Sequence, residues 1–209
     1  MENEKRFDWL NKIVEQSKKQ ENFSKVDYAI YLATIAHAGQ VRKGTTIPYI
    51  FHVLNVGKIL AEDLQCEEDI VIAGILHDTL EDTKITKEDI LKNFGENVLR
   101  LVVGNSERDK KDTWENRKKE AIEHARNEAE DVLLIKLADK LDNIKAIERD
   151  CHYSGDEIWK RFNAPKDRLE WYYRSLRDIF AEKIYNMEYP ERAKVLFEYE
   201  QCLDEVFKK

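Results

Sequence analysis

Residues that break helices are scarce in this 209-residue chain, which has seven Gly and three Pro. So few breakers exclude a many-turned β architecture and favour helices. Cysteine is scarce as well. Cys66, Cys151 and Cys202 are an odd number, far apart and without a CxxC, which excludes a disulfide frame or a thiolate zinc site and fits free thiols in a reducing compartment. No apolar run approaches bilayer length, and Met1-Glu2-Asn3-Glu4-Lys5-Arg6 lacks the apolar stretch of a secretory signal. The chain is therefore expected to be cytoplasmic, with no membrane partner. Excess positive charge is also missing. With 35 basic and 42 acidic residues the net charge is −7, which argues against general binding to nucleic acid or anionic membranes. What is present is 42% hydrophobic and 10% aromatic residues, enough for a sizeable core, and 37% charged residues to solvate the surface. Such a length suits one compact domain.

Helical periodicity runs through the chain. Phe7, Leu10, Ile13 and Val14 share one face over about residues 5–19. Ser24 with Asp27 forms a capping-box pattern for a helix ended by Gly39, with His37 in its last turn. A basic turn, Gln40 to Ile47, leads to Pro48, which opens a helix through about Leu64 carrying His52. Glu67 to Leu80 reads as a buried helix, Thr86 to Gly95 as a capped short one, and Glu96 to Val103 as another ended by Gly104. A polar loop over 105–113 precedes a charged amphipathic helix, Trp114 to Asn127. The run Val132 to Asn143 is short enough to be a strand, but it has no alternating partner anywhere. It is read as a central buried helix. Two more amphipathic helices follow, about 166–187 and 191–207. The expected fold is all-α, a single helical domain over 1–209.

Chemistry concentrates at His77-Asp78-Thr79-Leu80-Glu81-Asp82-Thr83, directly after the apolar run Ile70 to Leu76. Ionisable groups placed against a buried helix need partners, and a metal ion is the economical one. His52, His77, Asp78 and Asp139 all interrupt apolar helices. Two imidazoles and two carboxylates suit Mn²⁺, with Fe²⁺, Co²⁺, Ni²⁺ or Zn²⁺ as competitors, provided three helices meet. Helical geometry carries Glu81 back over His77 on the same face, beside the ion's solvent, where it and Asp82 can handle a proton. Each residue taken singly also has a plain structural reading, such as a satisfied histidine at a helix start for His52.

The ordered set His52…His77-Asp78…Asp139 resembles the HD superfamily of metal-dependent phosphohydrolases. Ala36-His37-Ala38-Gly39-Gln40-Val41-Arg42-Lys43, Pro48-Tyr49-Ile50-Phe51-His52, His77 through Thr83, Phe94-Gly95 and Lys136-Leu137-Ala138-Asp139-Lys140 are similar, in strict order, to the hydrolase domain of the RelA/SpoT homologue family. The resemblance covers about residues 24–150 and implies an HD-type bundle of about ten helices, with C-terminal helices over about 156–207 packed on the motif core. It implies a stand-alone enzyme that uses Mn²⁺ to remove the 3′-pyrophosphate of guanosine 3′,5′-bis(diphosphate), acting as monomer or homodimer. His52, His77, Asp78 and Asp139 match its metal ligands, and Glu81 and Asp82 its catalytic acidic pair. Arg42, Lys43, Lys140 and Asn143 match substrate-lining positions, and His37 fits a residue supporting a ligand. A guanidinium such as that of Arg42 can stack on a purine and pair with phosphate.

Two positions depart from that pattern. Gly44 stands where a polar residue is common, and Asp142 where an aromatic or His commonly precedes the asparagine. Both bear on base preference, not on phosphate-ester hydrolysis. The stretch Trp159 to Tyr173 belongs to no carried-over motif. Arg108, Lys110, Lys111, Arg117, Lys118 and Lys119 form either a solvated basic face or a flap screening a polyphosphate. Competing readings are an HD nucleotidase acting on another nucleotide and a nucleotide sensor without turnover.

Overall fold

The computed structural model describes residues 24–106, 112–185 and 188–208. The helix expected over 5–19 lies outside these residues, as do Arg108, Lys110 and Lys111. The described chain is helical, in the order α1 (Lys25–Ala36), α2 (Ile50–Lys58), α3 (Glu68–Leu76), α4 (Thr79–Asp82), α5 (Lys87–Phe94), α6 (Glu96–Asn105), α7 (Trp114–Asn127), α8 (Glu130–Ser154), α9 (Lys166–Lys183) and α10 (Pro190–Val206). A π-helical turn, Ile59–Asp63, continues α2, and a 3₁₀ segment, Gly155–Arg161, follows α8. Extended pairing among the described residues is limited to one isolated bridge, Val41 to Pro48, which closes the basic turn.

Local sequence explains the helix starts. Ser24 Oγ accepts from Asp27 N at 3.1 Å while Asp27 Oδ2 accepts from Ser24 N at 2.9 Å. Thr86 and Asp89 repeat the device, so two capping boxes begin α1 and α5. The apolar run before Asp139 is helical, as expected, and α8 extends well beyond it to Ser154. Leu133, Ile135, Leu137, Ala138, Leu141 and Ile144 on α8 are fully buried because α2, α3, α6 and α10 all pack around it. Buried apolar side chains from Tyr28 to Phe207 form one contiguous cluster.

Two expectations about helix ends are corrected, and a third helix ends as expected but changes type. The helix expected from Glu67 to Leu80 stops at Leu76, turns at His77 and Asp78, and restarts as α4. The Thr79 hydroxyl donates to Leu76 O at 2.6 Å, taking up a carbonyl at the break, as short polar side chains do when they compete with the helix ladder. Gly104 does not terminate α6 but lies within it, and a Cβ there would stand 3.0 Å from the Val132 methyls. Its role is close contact with α8. The helix from Pro48 gives way at Ile59 to a π turn closed by Leu64 N to Ile59 O at 2.8 Å, which the sequence did not signal.

Close approach also governs α2 and α3, the pair that carries both site histidines. A Cβ on Gly57 would lie 2.6 Å from Ile75 Cγ1, and one on Gly74 would lie 2.1 Å from Leu60 Cδ1. Gly74→Ala should therefore force α3 off α2 and destabilise the fold by about 1–3 kcal/mol, as overpacking does. A urea midpoint unchanged from wild type would contradict this account of the pair.

Candidate metal centre

Four elements deliver the site. His52 comes from the first turn of α2, His77 caps α3, Asp78 precedes α4 and Asp139 projects from the middle of α8. One ligand atom each from His52, His77 and Asp139 falls within a 4.8 Å group. His52 Nε2 is 3.3 Å and His77 Nε2 3.8 Å from Asp139 Oδ1. Asp78 Oδ2 approaches the same two nitrogens, at 3.8 Å from His52 and 2.9 Å from His77. The two imidazoles are buried, with 1% and 3% of their residues exposed, while the carboxylates keep a narrow opening to solvent.

Hydrogen bonding fixes which nitrogen faces inward. His77 Nδ1 sits 2.8 Å from Gly74 O and so carries its proton there, turning Nε2 into the cluster. His52 Nδ1 donates to Asp142 Oδ2 at 2.7 Å, with the same result. His77 Nε2 is buried and makes no well-directed hydrogen bond despite the short approach of Asp78. Inward lone pairs and carboxylate oxygens aimed at one point are the donor set of a divalent cation, with each ring oriented by a protein acceptor behind it. The charges agree. Burial would lower the basicity of His77, but Asp78 and Asp139 outweigh it and push its imidazolium up to about 9. Burial would raise the Asp139 carboxyl, yet Lys140 and the two histidines hold it well below the usual carboxylate range.

Residues 29–167 match the HD domain family. The chain belongs to it. Among relatives, the HD chain is 41% identical over 126 residues to a guanosine-3′,5′-bis(diphosphate) 3′-pyrophosphohydrolase of Aquifex aeolicus, covering 58% of this chain and 18% of that protein. It is 34% identical over 148 residues to the bifunctional (p)ppGpp synthase/hydrolase SpoT of Escherichia coli, covering 68% and 20% respectively. The pyrophosphohydrolase MESH1 of Drosophila melanogaster is 40% identical over 118 residues, 56% of this chain and 65% of its own. The chain thus spans about a fifth of the longer relatives. Among solved structures, lmo0812 of Listeria monocytogenes has TM-score 0.67 at 34% identity, covering 76% of this chain and 99% of its own. A structure titled as a metazoan ortholog of SpoT that hydrolyzes ppGpp has TM-score 0.65 at 29% identity, covering 88% and 94%.

The other expected HD site residues take distinct places. Glu81 is half-buried and Asp82 exposed at the end of α4, and both of their backbone N–H groups donate to Asp78 O, at 3.2 and 3.0 Å. The helix expected to carry Glu81 over His77 is interrupted at His77 and Asp78, and backbone hydrogen bonds tie Glu81 and Asp82 to Asp78. His37 Nδ1 donates to Gln40 Oε1 at 2.7 Å, and Gln40 Nε2 donates to Asp82 O at 2.7 Å. His37 reaches the ligands indirectly, its ring 5.1 Å from that of Tyr49, which is 5.3 Å from that of His52. Lys140 Nζ bonds Asp139 Oδ2 at 2.7 Å, and Asn143 Nδ2 donates to Asp139 Oδ1 at 2.5 Å. Arg42 Nη2 donates to Asn143 Oδ1 at 3.1 Å. Lys43 Nζ reaches away, 3.0 Å from Asn163 Oδ1 in the stretch that no motif covered.

Two residues of the site carry no role in the sequence reading. Tyr49 donates a short hydrogen bond to Asp78 Oδ2, and burial together with that carboxylate pushes its phenol far above the ordinary range. It stands inside the Pro48 to His52 motif, which was a signal. Asp142 accepts from His52, Arg42 and Asn55. Its only signal was its departure from the family pattern.

The histidine charge generates a prediction for metal-free protein. His77 takes its proton more strongly folded, near 9, than unfolded, near the ordinary histidine value of about 6.5. Its stabilising contribution is complete below the lower value and lost as pH rises through the higher one. A cation competes with that same proton, so metal affinity should rise over the window in which metal-free stability falls. Melting temperatures of chelated protein and Mn²⁺ titrations at pH 6.5 and 9.5 check both trends; a flat pair of curves would contradict the charge assignment.

Proposed function

We propose that this chain is a divalent-metal-dependent phosphohydrolase that removes the 3′-diphosphate of guanosine 3′,5′-bis(diphosphate), yielding GDP and pyrophosphate. The observation that carries the reading is the convergence of His52, His77, Asp78 and Asp139, with both Nε2 atoms inward and the Glu81-Asp82 pair rising directly from Asp78. The relatives named as pyrophosphohydrolases of this nucleotide supply the substrate. Mn²⁺ suits the mixed nitrogen and oxygen donors best. A cation held there supplies Lewis-acid polarisation of a phosphoryl oxygen and makes a nearby water more acidic.

The chain's own residues do the rest. Water attacks the phosphorus next to the sugar 3′-oxygen; its oxygen–phosphorus bond forms as the bond to the 3′-oxygen breaks. Glu81 and Asp82 accept the proton the water loses, and the departing 3′-oxygen takes one up. Arg42 is bonded to Asp142 and Asn143 on α8 and keeps its side chain 15% exposed, which supports a role in meeting base or phosphate. Free Cys66, Cys151 and Cys202 fit a reducing compartment.

Incubating purified protein with Mn²⁺ and the nucleotide, then separating products by chromatography, should reveal pyrophosphate and GDP in equal amounts. Orthophosphate in place of pyrophosphate would favour a nucleotidase, and binding without turnover a sensor. Glu81→Ala should lower kcat by about 10²–10⁴-fold while metal content stays that of wild type. Undiminished kcat in that variant would remove Glu81 from the chemistry.

A further inference from the structure

Asp142 bonds three side chains of the site, yet it belongs neither to the ligand cluster nor to the acidic pair. It lies on α8 one turn beyond Asp139 and is 3% exposed. Its Oδ2 accepts from His52 Nδ1 at 2.7 Å and from Arg42 Nη1 at 2.6 Å, and its Oδ1 accepts from Asn55 Nδ2 at 2.9 Å. A carboxylate buried to this degree is tolerated only with such partners. What matters is which partners they are. One carboxylate oxygen serves both a candidate metal ligand and Arg42 of the basic turn.

We propose that Asp142 is a positioning residue that couples the metal ligand His52 to the substrate-facing Arg42 through its shared Oδ2. This rests on the metal-dependent reading above. Accepting from Nδ1 holds His52 in the tautomer whose Nε2 points at Asp139 and Asp78, and sets the plane of the ring. Accepting from Nη1 anchors Arg42, whose Nη2 is held by Asn143. Two of the five guanidinium N–H groups are thereby used within the protein, which fixes the plane in which Arg42 presents its remaining donors and flat face to a ligand. Asn143 closes the circuit, since it also bonds Asp139. Loss of Asp142 therefore acts at two places that it does not itself present to substrate: the grip on the cation and the placing of Arg42.

The test is a calorimetric titration of Mn²⁺ into metal-free wild type, His77→Ala, Asp142→Ala and Asp142→Asn, with circular dichroism to verify folding and steady-state kinetics alongside. Asp142→Ala should weaken Mn²⁺ binding about 10–100-fold, the range for removing a ligand's hydrogen-bonding partner, and should raise KM at saturating metal. Asp142→Asn keeps an acceptor oxygen for Nδ1 and Nη1 and should recover most of the lost metal affinity. Should Asp142→Ala not fold, Asp142→Asn carries the test, with a several-fold weaker Mn²⁺ affinity expected from the lost charge. Mn²⁺ affinity and KM equal to wild type in a folded Asp142 variant would overturn the coupling while leaving the metal reading intact. Wild type that binds no Mn²⁺, or binds it no better than His77→Ala, would overturn the metal reading and this inference with it.

Discussion

Two carboxylates held side by side beneath the surface are the constraint on which the rest of this structure turns. Asp78 and Asp139 meet at the same pair of imidazole nitrogens, and neither can stay ionised there without positive charge between them. The protein meets that demand in part, with Lys140 against Asp139 and protonatable histidines against both. A divalent cation meets it more fully, because it brings two charges to one point between both carboxylates, where a proton brings one. The fold around the pair is arranged to make the meeting possible. Glycines at the α2–α3 contact let two helices approach until Leu60 and Ile75 would collide with any added methyl, and the histidines ride on those two helices. α8 brings Asp139 from a third direction because its apolar sides are buried among α2, α3, α6 and α10.

Convergence alone would leave the ligands loose. Each one is turned by a second group: His77 by Gly74 O, His52 by Asp142, Asp78 by Tyr49, and Asp139 by Asn143 and Lys140. The break in the chain at His77-Asp78 belongs to the same scheme. An unbroken helix would send Asp78 off at a fixed angle from His77, whereas the turn lets both side chains face one point. Glu81 and Asp82 follow directly, and backbone hydrogen bonds to Asp78 O register the acidic pair to the cluster.

Much of this was legible. The helices with capping boxes, the central buried run before Asp139 and the four side chains that converge could be named from residues, because capping pairs, apolar periodicity and buried polar groups leave marks on the text. The break after Leu76 could not, since Thr79 donating to Leu76 O is a tertiary choice between two helix-compatible states. Gly104 was misread for a related reason. Glycine marks helix ends and close contacts alike, and only the neighbour, here Val132, tells them apart. The partners of the ligands were hardest to find. Tyr49, Asn55 and Asp142 are common residue types, and their roles exist only once α2 meets Asp78 on one side and α8 on the other.

The two departures from the family pattern become intelligible together with the stretch Trp159 to Tyr173. Gly44 sits at φ +72°, and an added Cβ would meet Arg161 Cδ at 2.5 Å, so the absent side chain makes room for the stem of Arg161. Arg161 is itself tethered to Asp150 at 2.8 Å, and Asn163 accepts from Lys43. The 3₁₀ segment is pinned in turn by Trp159, which stacks on Phe207 at the end of α10 with ring centroids 5.8 Å apart. The basic turn is therefore held on one side by Asp142 through Arg42 and on the other by the C-terminal helices through Lys43 and Gly44. A position that looks like a lost polar contact is the place where another element has arrived to hold the turn. The C-terminal third of the chain, which no motif identified, thus helps to set the shape of the opening that the motifs describe.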